Sequence, residues 1–263
     1  MLLKDMFNLK NKVILITGGS GHLGKSMCEA LAEYGATLII GSRDIDKNKK
    51  LSKKLTNDFG NENYPILIDV SSNESINDSV QYINHNYAKI DVLVNNAYYG
   101  AGKDLTSITD DEWNMGIDGS IGSVYRCTKA VLPQMLSNGY GKIINISSMY
   151  GLVSPDISIY DTNDYYNPAN YGAGKAAIIQ FTRYIAGVYG KHGICSNSIS
   201  PGPFPNSIVQ KDKMFIDKLE EKVPLKRIGQ PDDLKGSVLL LASDASNYIN
   251  GTNIVVDGGW TIW

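Results

Sequence analysis

The chain is poor in the residues that mark metalloproteins and disulfide scaffolds. It has three cysteines in 263 residues. Cys28, Cys127 and Cys195 lie far apart, with no CxxC pair and no Cys/His cluster. That spacing argues against zinc and against a disulfide framework. It fits small buried hydrophobes in a reducing cytoplasm. Histidine is as scarce, with three residues. His85 and His192 read as surface residues, and none of the three is spaced for catalysis. Asp161-Thr162-Asn163-Asp164 lacks the spacing and the closing glutamate of a calcium loop, so no metal is expected. Neither sign of charge dominates: 25 Lys and Arg face 27 Asp and Glu, a formal net charge of −2. A nucleic-acid partner, which needs a basic face, is therefore not expected. No apolar run approaches the ~18 residues of a membrane span. The opening MLLKDMFNLKNK lacks the apolar core of a signal peptide. There is no internal repeat and no low-complexity tract. Small ligands remain open, anionic ones included, because they need only local charge.

What is present is an alternation of short apolar runs with helical patterns. Hydrophobic residues make up 43%, enough for a full-sized core. Val13–Ile16 reads as a buried strand. Met27, Ala30, Leu31 and Tyr34 then fall at helical spacing over residues 25–34, and Gly35 supplies a left-handed helix end. Further strands are expected at 37–40, 66–68, 92–94, 143–146, 196–199 and 254–256, with a Lys-rich helix at 45–59. Unalternating strands separated by helices imply a parallel sheet covered on both faces. The fold class is α/β, a Rossmann-like doubly wound parallel sheet, with residues 1–263 as one domain. Residues 154–168, SPDISIYDTNDYYNP, read as a long loop inserted near the site.

The first strand runs into Thr17-Gly18-Gly19-Ser20-Gly21-His22-Leu23-Gly24. Gly19, Gly21 and Gly24 satisfy GxGxxG after a strand and at a helix start, the context the motif needs. Glycines let the backbone approach a pyrophosphate, and the helix N-terminus offers it free N–H groups. The second strand ends in Gly41-Ser42-Arg43-Asp44. An acid at this point favours a free ribose hydroxyl, and arginine favours a 2′-phosphate. Ser42 stands where the acid is expected, so Arg43 points to NADP. Pairing of Arg43 with Asp44 or Asp46 is the alternative, and Asp44 keeps NAD open.

Tyr171 and Lys175 are four residues apart and share a helix face. A neighbouring ammonium favours phenolate, so a lowered tyrosine pKa is expected, suited to general acid/base work. Upstream, the strand Ile143–Ile146 ends in Ser147 and Ser148. A hydroxyl there can hydrogen-bond a substrate carbonyl and stabilise developing negative charge.

Taken together, TGGSGHLG at 17–24, Asp69-Val70, NNA at 95–97, ISS at 146–148, YGAGK at 171–175, Pro201-Gly202 and the closing VDGGWTIW resemble the short-chain dehydrogenase/reductase family in its compact branch. The resemblance spans nearly the whole chain. It implies that Ser148 polarises the substrate oxygen, that Tyr171 moves the proton, and that Lys175 supports Tyr171 and binds the nicotinamide ribose. It implies a cofactor turn of Gly18, Ser20, Gly21, His22, Leu23 and Gly24. Asp69 and Val70 would meet adenine. Asn96, Ala97, Tyr98 and Ile146 would line the groove, and Pro201, Gly202, Phe204 and Asn206 would lie along the nicotinamide. The chain also departs from the pattern. His22 replaces a glycine, a spacing closer to the extended branch, although the stretch after Lys175 is too short for that branch's substrate domain. Tyr98 replaces a glycine. Ser120 stands where the compact branch has a catalytic asparagine.

Three functions follow as expectations. The first is an oxidoreductase for a sugar, sugar acid or polyol; the hydroxyls, amides and carboxylates of the 154–168 loop favour it, although its tyrosines could simply pack the loop onto the domain. The second is a carbonyl or 3-oxoacyl-thioester reductase. The third is a non-catalytic dinucleotide-binding regulator, against which Ser148, Tyr171 and Lys175 argue. The resemblance also implies a homo-oligomer, a tetramer or dimer. The apolar Trp260, Ile262 and Trp263 are expected to be buried.

Overall fold

Branched apolar runs too short to be helices become the strands of one sheet. The computed structural model describes residues 2–160 and 167–263. Along the chain run α1 (Leu3–Met6), β1 (Val13–Thr17), α2 (His22–Glu33), β2 (Thr37–Ser42), α3 (Ile45–Phe59), β3 (Asn63–Leu67), α4 (Asn73–Tyr87) and β4 (Val92–Asn95). Next come α5 (Asp110–Ile117), a π-helical turn (Asp118–Gly122), α6 (Ser123–Asn138), β5 (Gly141–Ile146) and α7 (Ala169–Tyr189). The chain closes with β6 (Ile194–Pro201), α8 (Lys213–Lys222), α9 (Lys235–Ala242) and β7 (Asn253–Val256). Each expected strand is found, several of them longer at their ends than the apolar run alone indicates. Residues 161–166, which include most of the tyrosine-rich loop and the whole Asp161–Asp164 segment, lie outside the described residues.

The sheet is parallel throughout, in the order β3-β2-β1-β4-β5-β6-β7. Pro65 interrupts no ladder at a cost, because β3 is an edge strand. Within β1 the side chains alternate. Ile14 and Ile16 join α2, α3 and α9 in one core, while Val13 and Leu15 join α4, α6 and α7 in the other. Both layers are apolar because helices cover both faces.

The strand order reverses between β1 and β4. At the carboxyl ends of these two strands the chain leaves in opposite directions, and the crevice that results is where open α/β sheets bind ligands. A buried amide and hydroxyl network braces the sheet just below it. Asn95 donates to Asn145 (2.9 Å) and Thr128 (3.2 Å), and Asn145 donates to Thr182 (2.9 Å). It links β4, β5, α6 and α7.

Candidate active site

The glycine turn closes tightly over the end of β1. Gly18 has φ 65°, and a Cβ there would stand 2.9 Å from Asn96 Nδ2. That amide is engaged, donating to the carbonyls of Thr17 (3.1 Å) and Gly18 (2.9 Å). A Cβ on Gly24 would come 2.8 Å from Gly19 Cα and closer still to the Gly18 oxygen. The first turn of α2 therefore packs directly on the glycine backbone. Beside it lies a groove of about 340 Å³, lined by Gly18, Gly21, His22, Leu23, Arg43, Val70, Asn96, Ala97 and Tyr98 among the expected residues. Ile68 and Tyr99 line it as well. Ser20 is buried and shares a 3.1 Å hydrogen bond with Ser42. Asp44 is turned away from the groove: its carboxylate accepts from Lys47 N (3.0 Å) and pairs with Lys47 Nζ (3.0 Å), capping α3. Asp46 pairs with Lys49 (3.9 Å). Arg43 thus stays in the groove instead of joining either acid. The shape, the bare glycine backbone and a cation at the adenosine end fit a dinucleotide.

Ser148, Tyr171 and Lys175 lie past the Tyr98 wall of the groove, where the Tyr98 ring meets that of Tyr171. Ser148 follows the last residues of β5 in extended conformation, and its Oγ accepts from Tyr150 N (3.1 Å). Tyr171 and Lys175 sit on α7, which is held against the strand end by Ser147 Oγ donating to the Lys175 carbonyl (2.7 Å). Lys175 Nζ donates to the Ile146 carbonyl (2.9 Å) and is buried. Burial pushes its pKa down to about 8. Burial raises the pKa of the Tyr171 phenol, and the neighbouring Ser148 hydroxyl, which favours ionisation, does not offset it. The lowered tyrosine pKa expected from the Tyr–Lys spacing is therefore corrected. Lys175 Nζ stands 5.6 Å from the Tyr171 ring, and desolvation dominates.

Comparison with known proteins bears on this arrangement. A family model described as enoyl-(acyl carrier protein) reductase matches residues 20–261. The chain belongs to the short-chain dehydrogenase/reductase family. It is similar to the 3-oxoacyl-[acyl-carrier-protein] reductase of Chlamydia muridarum, 33% identical over 95% of this chain and 98% of the reductase. It is also similar to the 2-dehydro-3-deoxy-D-gluconate 5-dehydrogenase of Dickeya dadantii, 32% identical over 98% of this chain and 99% of that enzyme. A solved gluconate 5-dehydrogenase from Burkholderia cenocepacia, in complex with NADP and tartrate, superimposes with a TM-score of 0.90 at 29% identity, each chain fully covered. The protein is an oxidoreductase of this family, whose members here act on CH–OH groups.

Two of the departures from the family pattern, Ser120 and Tyr98, pack against α7 and Tyr171. Ser120 lies in the π-helical turn, a distortion frequent at functional sites. Its Oγ is buried with no hydrogen-bond partner among the described residues. It presses on α7, since a Cβ on Gly174 would meet Ser120 Oγ at 2.8 Å. Tyr98 lays its ring edge-on to Tyr171, with centroids 5.2 Å apart. Tyr99, Asp118 and Arg126 form a cluster that no motif or spacing in the chain announces. Arg126 donates to both Asp118 oxygens (2.6 and 2.9 Å), to Tyr99 Oη (2.9 Å) and to the Val70 carbonyl (3.0 Å). Tyr99 Oη also bonds Asp118. The Arg126 guanidinium holds the Asp118 carboxyl below its usual range, and burial pushes Tyr99 up to about 12. The cluster ties the groove floor to the π turn.

Other expected residues are placed differently. Asp69 is held by Ser71 through its N (2.9 Å) and Oγ (2.7 Å), and only Val70 reaches the groove. Pro201 ends β6 and Gly202 N bonds the Val256 carbonyl (2.9 Å). Phe204 and Asn206 are not among the residues that line this part of the groove, nor are Ser148, Tyr171 and Lys175. The Phe204 ring covers Gly229, in a separate apolar pocket with Pro224 and Ile262. Asn206 caps a local turn, accepting from Ile208 N (2.9 Å) and Val209 N (3.2 Å). Trp260 is buried as expected, whereas Ile262 and Trp263 are 77% and 79% exposed on the single chain. Among the described residues there is no metal-binding group of His, Cys, Asp or Glu, and no helix long and apolar enough to cross a membrane.

Proposed function

We propose that the protein is an NADP-dependent dehydrogenase of a small polyhydroxylated substrate, a sugar, sugar acid or polyol. The observation that carries the reading is a hydroxyl-bearing wall beside Ser148 and Tyr171. Tyr150 and Tyr160 share a 2.9 Å hydrogen bond, and Asn167 Nδ2 lies 3.4 Å from Tyr160 Oη. These phenols are set in an apolar cluster with Met149, Ile159 and Trp260; their hydroxyls and the Asn167 amide are the polar groups with which a polyol can exchange hydrogen bonds. The gluconate enzymes among the relatives support the same class.

The cofactor supplies or accepts the hydride when bound. Gly18, Gly21, His22 and Leu23, with Ser20 and Gly24 behind them, would hold the pyrophosphate at the N-terminus of α2. Arg43, with Ser42 beside it, would meet the 2′-phosphate. Val70, backed by Asp69, would receive the adenine, and Asn96, Ala97 and Ile146 would line the groove beyond it. Ser148 would donate to the substrate oxygen. In the reducing direction Tyr171, kept protonated by burial, passes its proton from Oη to that oxygen and is left as phenolate. The Lys175 ammonium opposes that charge and is placed to bind the ribose. Ser120, whose hydroxyl has no hydrogen-bond partner among the described residues, would hold a water that returns the proton. In oxidation the proton moves the other way.

Nicotinamide absorbance, followed with NADP and NAD against sugars, sugar acids, polyols and 3-oxoacyl thioesters, tests this reading. Turnover of hydroxylated substrates with NADP is expected. Turnover confined to 3-oxoacyl thioesters would favour the second reading, which the 33% identical reductase supports. Tight dinucleotide binding without turnover of either class would favour a regulator. We also infer a cytoplasmic homo-oligomer, a tetramer or dimer: Ile262 and Trp263 are large, apolar and exposed at the end of the tail. A monomeric mass by light scattering would overturn it.

A further inference from the structure

We propose that Tyr98 is a positioning residue for Lys175, its ring acting as a π partner that keeps the ammonium charged beside Tyr171. The proposal deepens the catalytic reading above and rests on it. Lys175 is 5% exposed. Its Nζ has one neutral hydrogen-bond acceptor, the Ile146 carbonyl, and no ion pair among the described residues. Two rings stand near it: Tyr98 at 5.5 Å and Tyr171 at 5.6 Å from their centroids. Both lie within the ~6 Å over which a cation is attracted by an aromatic face. The rings meet at 83°, so each offers the ion a separate surface.

Among the described residues, the groups around this lysine provide no other compensation. From α7 it faces Tyr171, and from the segment after β4 it faces Tyr98. The end of β5 presents the Ile146 carbonyl and Ser147. Behind Tyr171 lie the neutral phenols of Tyr150 and Tyr160. The acids on neighbouring elements are committed: Asp118 to Arg126 and Asp69 to Ser71. Burial works against the charge, taking the lysine down to about 8. The aromatic faces work for it. Tyr171 is needed for the proton, which leaves Tyr98, on the wall of the groove, as the ring free to serve the ammonium. It is 40% exposed, so core packing does not account for it. The backbone makes room for it: a Cβ on Gly100 would stand 2.9 Å from Tyr98 Cζ.

The test reads the lysine directly, without substrate or cofactor. Lysine labelled with ¹³C at Cε is titrated by NMR, and the Lys175 signal is identified by its loss in Lys175→Met. Position 98 is then replaced by phenylalanine and by its 4-fluoro, 3,5-difluoro and 3,4,5-trifluoro analogues, which keep the shape while draining the π face. Phenylalanine should leave the titration in place. The fluorinated series should lower it stepwise, and Tyr98→Leu should lower it by about one pH unit, a tenfold change in the charged fraction's ratio. A flat series, or a phenylalanine variant shifted as far as leucine, would overturn the proposal. Failure of the catalytic reading shows separately, as turnover retained in Tyr171→Phe.

Discussion

Replacing Gly119 with alanine adds one methyl at the point where the groove and the π turn touch. An ideal Cβ there would stand 2.5 Å from the carbonyl carbon of Tyr99, closer still to its oxygen, and 3.0 Å from its ring. Non-bonded contacts to carbon settle at about 3.5 Å and the Tyr99 oxygen is the nearer atom, so the two segments must part by more than about 1 Å. The obstacle is backbone, which cannot rotate away. Overpacking of this kind costs about 1–3 kcal/mol, and the movement strains the Tyr99–Asp118–Arg126 cluster as well, so a loss of about 3 kcal/mol is expected. For a chain of this size that lowers Tm by about 6–12 °C. Because Tyr98 adjoins Tyr99, its ring moves off Tyr171 and Lys175; a displacement of about 1 Å can cost on the order of a hundredfold in rate. The control is Gly236→Ala, near the start of α9, where a Cβ meets nothing within 4 Å. There alanine should stabilise by up to about 1 kcal/mol through helix propensity. Calorimetry on both variants reads the sign. A Gly119→Ala variant as stable as the parent would refute the close approach on which the argument rests.

Tyr171→Phe should lower turnover by about 10²–10⁴-fold with cofactor affinity nearly unchanged; fluorescence titration and initial rates separate the two. Arg43→Gln should weaken NADP binding by about 10- to 150-fold, the loss of one charge-assisted hydrogen bond, while NAD binding stays level; equal losses for both would remove Arg43 from the phosphate site. Lys175 carries a linkage with a definite sign. Its folded pKa of about 8 lies below the ordinary lysine value of 10.5, so the unfolded chain binds more protons between them. The burden of the buried ammonium, about 3 kcal/mol by that difference, is full below pH 8 and relieved as pH rises toward 10.5. Lys175→Met should therefore be more stable than the parent at pH 7, with the gap narrowing between pH 8 and 10 and activity lost throughout. Denaturant melts across that range check it, and a pH-independent gap would contradict it.

Much of the scaffold was legible in the residues. Val13–Ile16 and Ile143–Ile146 are unalternating branched runs, and only a sheet covered on both faces buries every residue of such a run. The glycine turn was legible for a related reason: Gly24 has a backbone oxygen where a side chain would begin, so the residue type records the contact. The four-residue interval from Tyr171 to Lys175 placed both on one helix face. Elsewhere a local signal pointed only part of the way. Phe204 and Asn206 follow Pro201-Gly202 in the expected order, yet one covers Gly229 and the other caps its own turn.

Spacing along an element was thus determined by the sequence itself, because helix and strand periods are fixed by backbone geometry. Charge state and distant contact were decided by the tertiary structure. Tyr171 has its proton held, despite the lysine one turn away, because burial depends on everything packed around the phenol. The Tyr99–Asp118–Arg126 cluster, the π turn that carries Ser120, and the ring of Tyr98 over Lys175 join segments far apart in the chain. No periodicity records such meetings; they exist only once the sheet has brought its strand ends together.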